Sequence, residues 1–197
     1  MKEPRCMRCG KPILREEEEY CYDCAHTHHF YDRGVSVWLH KKPVSTSIYQ
    51  FKYHNQRSFG HCYIKEAVRK YESLIREWNP EVIIPVPLHT KRRRKRGYNQ
   101  AEILAEELGK QLKIPVAEEL VVRRKNTTPQ KQKNKKERRQ SLSGTFAQRY
   151  RIGKIRSVLI IDDIYTTGST VDEVSRILKR AGAEKVYYLT ISIGQGY

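Results

Sequence analysis

The sequence predicts an α/β protein: a parallel sheet flanked by helices, with a small metal-stapled module at its N-terminus. Three observations carry this reading. Two short apolar runs, residues 81–86 (EVIIPV) and 157–161 (SVLII), have the length and composition of buried strands. Segments with helical spacing alternate with the strand-like runs, as right-handed crossovers in a parallel sheet require. Four of the five cysteines form two Cys-x-x-Cys pairs close to the N-terminus. A chain of 197 residues has room for one full domain and a small appendage.

Taken in order, the metal module occupies residues 1–28. Cys6 and Cys9, then Cys21 and Cys24 with eleven residues between the pairs, would present four thiolates for a tetrahedral site of the kind zinc favours. So short a segment has no core of its own, and a metal would staple it. His26, His28 and His29 are expected on the surface, and Cys62 is expected as a small buried apolar residue. Residues 29–55 are read as connecting strands: Val35, Val37 and Leu39 alternate with polar neighbours, a turn falls at 41–43, and Ile48, Phe51 and Tyr53 mark a second segment. Residues 56–197 form the main domain. Within it, residues 63–78 place Ile64, Ala67, Val68, Tyr71, Leu74, Ile75 and Trp78 on one helical face, and Asn79-Pro80 stops the helix. The run 81–86 is the first buried strand. Residues 99–112 form a second amphipathic helix, with Ala101, Leu104, Ala105, Leu108 and Leu112 inward. Residues 120–122 are a short strand and 157–161 a buried one. Residues 170–181 form a helix closed by Gly182, and 186–193 the last strand.

The charge is uneven. The formal net charge is +17, from 39 Lys and Arg against 22 Asp and Glu. Residues 91–96 read KRRRKR, and residues 123–151 hold eleven basic residues and one acid. These two segments together carry 17 basic residues and one acid, leaving 22 and 21 for the rest. They are expected to be loops that handle anions, because like charges this dense repel without a partner. No stretch approaches the ~20 apolar residues of a membrane span. MKEPRCMRCG lacks the apolar centre of a secretory leader, so a cytoplasmic protein is expected.

The chemistry concentrates in residues 158–170, VLIIDDIYTTGST. An apolar strand runs into Asp162 and Asp163, then into Thr166-Thr167-Gly168-Ser169-Thr170 and a helix. In parallel α/β sheets ligands bind at the carboxyl ends of strands. A hydroxyl-rich turn at a helix N-terminus suits a phosphate. Carboxylates repel phosphate, so the two acids suit sugar hydroxyls, directly or through Mg²⁺. A phosphate beside a diol describes a ribose 5-phosphate.

This run resembles the phosphoribosyl-pyrophosphate (PRPP) signature of type I phosphoribosyltransferases. Residues 84–89 (IPVPLH), 96–100 (RGYNQ), the FKY of residues 51–53, and Thr128-Pro129-Gln130, Arg138 and Gly144-Thr145-Phe146 resemble blocks of the ComF/GntX group of that superfamily. A four-cysteine ribbon ahead of the transferase domain is also typical of the group. Ser141 stands where the group commonly has Asn. The resemblance implies a type I phosphoribosyltransferase-like sheet preceded by a zinc ribbon. It assigns the ribose hydroxyls to Asp162 and Asp163 as the catalytic pair, and the 5-phosphate to Thr166, Thr167, Gly168, Ser169 and Thr170. Pyrophosphate goes to the turn Leu88-His89-Thr90, where Pro87 invites a tight or cis bond, with Lys91, Arg92 and Arg96 as charge partners. Segment 123–144 would be a hood over the site.

Members of the ComF group are associated with competence and DNA uptake, with a helicase-like partner. A single-stranded nucleic acid would meet Arg93, Arg94, Lys95, Arg123, Arg124, Lys125, Lys131, Lys133, Lys135, Lys136, Arg138 and Arg139. Tyr98, Phe146 and Tyr150 lie in or beside these segments, read first as core or hinge aromatics and second as rings that stack on bases. The expected function is a ComF-type protein that binds PRPP with Mg²⁺ and single-stranded DNA during transformation. A transferase acting on a nitrogenous acceptor, and a PRPP-sensing regulator, are the alternatives.

Overall fold

The computed structural model describes residues 4–125, 144–150 and 153–194. In chain order the elements are α1 (Tyr22–His26), β1 (Arg33–Leu39), α2 (Val44–Tyr53), α3 (Phe59–Trp78), β2 (Val82–Pro85), α4 (Thr90–Arg96), α5 (Gln100–Leu112), β3 (Val121–Arg123), β4 (Phe146–Gln148), β5 (Ser157–Tyr165), α6 (Ser169–Arg180) and β6 (Lys185–Ile193). Four strands form one sheet in the order β1-β6-β5-β2, and each neighbouring pair is parallel. β3 and β4 pair antiparallel as a separate hairpin.

β5 and β6 lie at the centre of the sheet and are apolar on both faces, as a covered parallel sheet demands. Val158 and Ile160 belong to one buried cluster, Leu159 and Ile161 to another, so successive side chains serve opposite faces. The first cluster gathers α6 and the four cysteines, and the second gathers α2, α3 and α5. α3 ends where Asn79 turns left-handed ahead of Pro80. The Asn99 side chain caps α5 by accepting from Ala101 N–H, and its amide donates to Val86 O at 3.0 Å. One side chain therefore ties α5 to the turn after β2.

Several expectations are corrected. Residues 44–53 are a helix, not a second strand, because Ile48 and Phe51 stand three apart and both bury on one face. The KRRRKR segment is helix α4, not a loop: His89 caps its start and Gly97, at φ +84°, ends it. Cys62 is exposed, while the adjacent Tyr63 is buried in the helix interior face. His29 is buried, although His26 and His28 are exposed. Among the described residues the cis peptide is Lys42–Pro43, which leads into α2, rather than the bond before Pro87. No helix among the described residues is long and apolar enough to cross a membrane.

Candidate functional site

The carboxyl end of β5 carries Asp162 and Asp163. Lys52, near the end of α2, makes an ion pair with Asp163 at 2.8 Å, and both side chains are largely buried. The backbone beside Lys52 is held from α5 and the turn before it: the Tyr98 hydroxyl and the Gln100 amide both donate to Phe51 O. Lys52 is a site residue to which the sequence assigned no role, although the FKY element contains it. Burial, and then the Asp163 carboxylate, push Asp162 up to about 7, against the pull of Lys52 and Arg123. Arg123 reaches the site from β3, half-buried, with its guanidinium 5.2 Å from the Phe146 ring centroid. Its charge is felt by Asp162 and Arg92, which sets it apart from the exposed Arg124 and Lys125. His40, just past β1, bonds Ser192 Oγ through Nδ1 at 2.9 Å. Burial and then Lys52 hold its pKa below the ordinary value, against the Asp163 carboxylate.

The loop from β5 to α6 is tightly built. Gly168 and Ser169 are buried, Thr167 and Thr170 half-buried and Thr166 exposed. Thr167 Oγ1 and Ser169 Oγ share a hydrogen bond of 2.8 Å. Gly168 sits at φ +76°, and a Cβ there would lie 2.2 Å from the Tyr165 hydroxyl. The loop can take this shape only with glycine at 168. The first N–H groups of α6 have no acceptor within the helix, which leaves them for an anion.

The turn after β2 contains half-buried Leu88, buried His89 and exposed Thr90. His89 spends its Nδ1 as the cap that accepts from Lys91 N–H at 3.2 Å. The basic helix divides its charges. Arg92, Lys95 and Arg96 line a cleft of about 460 Å³ with Lys52, Tyr53, His54 and Asn55. Arg96 lies 4.9 Å over the exposed Tyr53 ring. Lys95, expected among the nucleic-acid contacts, thus joins the two arginines expected at pyrophosphate. Arg93 pairs with Glu102 at 2.8 Å, and Arg93 and Arg94 line a shallow depression away from that cleft. Lys131, Lys133, Lys135, Lys136, Arg138 and Arg139, together with Ser141, lie outside the described residues.

The second candidate centre is Cys6, Cys9, Cys21 and Cys24, all buried, with their sulfurs within 4.8 Å of one another. Cys9 and Cys21 sulfurs are 3.6 Å apart. A tetrahedron of ~2.3 Å zinc–sulfur bonds spaces its sulfurs at about 3.8 Å, close to the Cys9–Cys21 separation, so these four cysteines could hold a metal ion.

A model of the phosphoribosyl transferase domain matches residues 65–192. Competence protein F of Haemophilus influenzae is 33% identical over 93% of this chain and 82% of its own length. DNA utilization protein YhgH of Escherichia coli is 28% identical, over 92% of this chain and 80% of its own. Competence protein ComFC of Bacillus subtilis is 26% identical, over 90% and 72%.

Proposed function

The chain belongs to the phosphoribosyl transferase domain family and, within it, to the ComF group, and on that footing we propose that it binds PRPP and single-stranded DNA in the handling of incoming DNA. The observation that carries the ligand half is the pairing of Asp162 and Asp163 with the loop Thr166–Thr170 across the end of one buried strand. The 5-phosphate would take the N–H groups and hydroxyls of that loop. The ribose hydroxyls would donate to Asp162 and Asp163, with Lys52 fixing Asp163. Arg92 and Arg96 would face the pyrophosphate. The acidic pair and the basic cleft suit Mg²⁺-bound PRPP, because the ion would neutralise pyrophosphate between them. The metal of the cysteine cluster is read as structural zinc.

The names of the relatives support the DNA half. The contacts would fall on Arg94, Arg124 and Lys125, on the basic residues outside the described set, and on Lys95 at the rim of the cleft. A helicase-like partner and a cytoplasmic location follow from the same reading. The test is a calorimetric titration of PRPP with Mg²⁺, repeated on chain saturated with a single-stranded oligonucleotide. PRPP binding that survives saturation indicates separate sites, and binding abolished by it indicates shared basic residues. An absence of PRPP binding in either case overturns the ligand half.

One observation favours a transferase as a second reading: the cleft beside Lys52 offers the exposed Tyr53 ring within a basic lining, a fit for a planar acceptor. Release of pyrophosphate on adding nitrogenous bases to PRPP-loaded chain would support it. Binding without turnover would favour the PRPP-sensing regulator.

A further inference from the structure

The four-cysteine cluster and the loop Thr166–Thr170 are joined by a short run of buried aromatic side chains. The Tyr188 hydroxyl donates to Cys9 O at 2.8 Å. The Tyr188 ring stacks on Tyr165 with centroids 5.0 Å apart and an interplanar angle of 8°. Tyr31 stands edge-on to both rings, and its hydroxyl shares a 2.7 Å hydrogen bond with that of Tyr165. The same Tyr165 hydroxyl occupies the space where a Cβ on Gly168 would fall. One phenol therefore touches the phosphate loop on one side and Tyr31 on the other.

A second route runs in parallel. Phe30 N–H donates to Asp172 Oδ1 at 2.7 Å, and His29 Nδ1 lies 3.4 Å from the same oxygen. Asp172 N–H in turn donates to Gly168 O at 2.8 Å. The segment that leaves the cysteine module thus holds the first turn of α6. The four cysteines, Tyr31, Tyr165, Tyr188, Val171 and Val174 share one buried cluster. The contact is close at the backbone as well. Gly34 N–H donates to Arg8 O at 2.8 Å, and a Cβ on Gly34 would meet the Tyr188 ring at 2.1 Å.

We propose that Tyr31 and Tyr165 are positioning residues that link the two centres, so that metal held by the cysteines favours the phosphate-binding shape of the loop and phosphate binding tightens the metal. This rests on the reading of Thr166–Thr170 as the ribose 5-phosphate site. The physical reason is that the module has no independent core. Without metal its four sulfurs are held only by weak thiol contacts, and a metal-stapled segment of this size unfolds. Tyr188 and Tyr31 then lose their anchors, and Tyr165 loses the bond that fixes its hydroxyl beneath Gly168. Linkage makes the effect reciprocal: any factor by which metal changes ligand affinity must be returned by ligand to metal.

The test is an equilibrium competition on the full chain loaded with Zn²⁺, against a zinc-selective chromophoric chelator of known affinity. It is run with and without saturating ribose 5-phosphate and without Mg²⁺. Linkage of ordinary size raises zinc affinity about fivefold with the sugar phosphate present. Tyr31→Phe keeps the ring and removes the hydroxyl bridge, so most of that gain disappears while zinc still binds. If Tyr31→Phe does not fold, Tyr165→Phe breaks the same bond from the other end and tests the same role, while the unmodified chain decides whether the two centres are linked. Ribose 5-phosphate that binds, shown by calorimetry, yet leaves zinc affinity unchanged overturns the linkage and leaves the phosphate site standing. A full gain retained in Tyr31→Phe overturns the role of the tyrosines. No binding of ribose 5-phosphate overturns the site and the linkage together, and no uptake of zinc overturns the linkage at its source.

Discussion

Asp162 and Asp163 are neighbours at the end of a buried strand, and Lys52 pairs with Asp163 at 2.8 Å. Burial, and then the adjacent Asp163 carboxylate, push Asp162 up to about 7. A carboxyl raised in the folded chain contributes stability that is complete below its unfolded pKa and is lost as pH rises through the folded one. Asp162→Asn is therefore expected to be more stable than the parent at pH 8, by about 1–3 kcal/mol, since each tenfold change in proton affinity is worth roughly 1.4 kcal/mol. The two should converge near pH 4, as denaturant midpoints at both pH values would show. Ligand affinity runs the other way. An ionised Asp162 accepts from ribose hydroxyls more strongly than a protonated one and alone attracts Mg²⁺, so PRPP affinity should fall between pH 8 and pH 6. The ligand's own phosphates titrate in that range, and Lys52→Met separates the two effects. Removing Lys52 takes away a cation that stabilises ionised Asp162, so the midpoint of the affinity profile should move to higher pH in that variant. An identical midpoint in calorimetry would place the pH effect on the ligand. At this scale the acids and the hydroxyl loop were legible, because they follow one another along the chain. Lys52 was not, because its position depends on α2 folding back under Tyr98 and Gln100.

Three helices differ in how openly the sequence declared them. α3 and α5 carry a clear apolar stripe, and the structure starts them within a few residues of the expected positions. α4 has no apolar residue in KRRRKR, so periodicity had nothing to register, and only the cap His89 and the stop Gly97 marked it. Its helical form matters for binding, since it sends neighbouring charges in different directions. Arg94→Ala combined with Lys95→Ala should weaken single-stranded DNA binding and flatten its salt dependence, by about 0.7 in log–log slope for each phosphate left without its cation. Arg93→Ala should do less, because Glu102 already neutralises that side chain. Filter binding across a salt series distinguishes the two variants. At the start of α6, Gly168→Ala meets both a positive φ and the Tyr165 hydroxyl. It should destabilise the chain by about 1–3 kcal/mol and abolish measurable ribose 5-phosphate binding in calorimetry. Wild-type affinity in that variant would remove the loop from the site.

For the molecule as a whole, periodicity predicted the parallel sheet, cysteine spacing predicted the four-cysteine cluster, and the charge pattern located the surplus of basic residues. None of these could show how the parts bear on one another. The cysteine spacing describes a free-standing ribbon, whereas Tyr188, Tyr31 and Gly34 build that ribbon into the face of the sheet. Chelation or Cys21→Ser should accordingly lower the melting temperature of the whole chain in one transition, because the cysteines share a core with β5 and β6. Two separate transitions in calorimetric melting would mean that the ribbon is only appended.

The family match begins at residue 65, yet β1 completes the sheet by pairing with β6 from Arg33 onward, and Lys52 reaches Asp163 from before the match. A chain trimmed to residues 56–197 would shed a wall of its own sheet and leave the buried, apolar rim of β6 as an open edge, the kind of surface on which chains stack into aggregates. The stretch that the family shares is thus not a cassette that can be lifted out, and grafting it elsewhere would require its first 55 residues to travel with it.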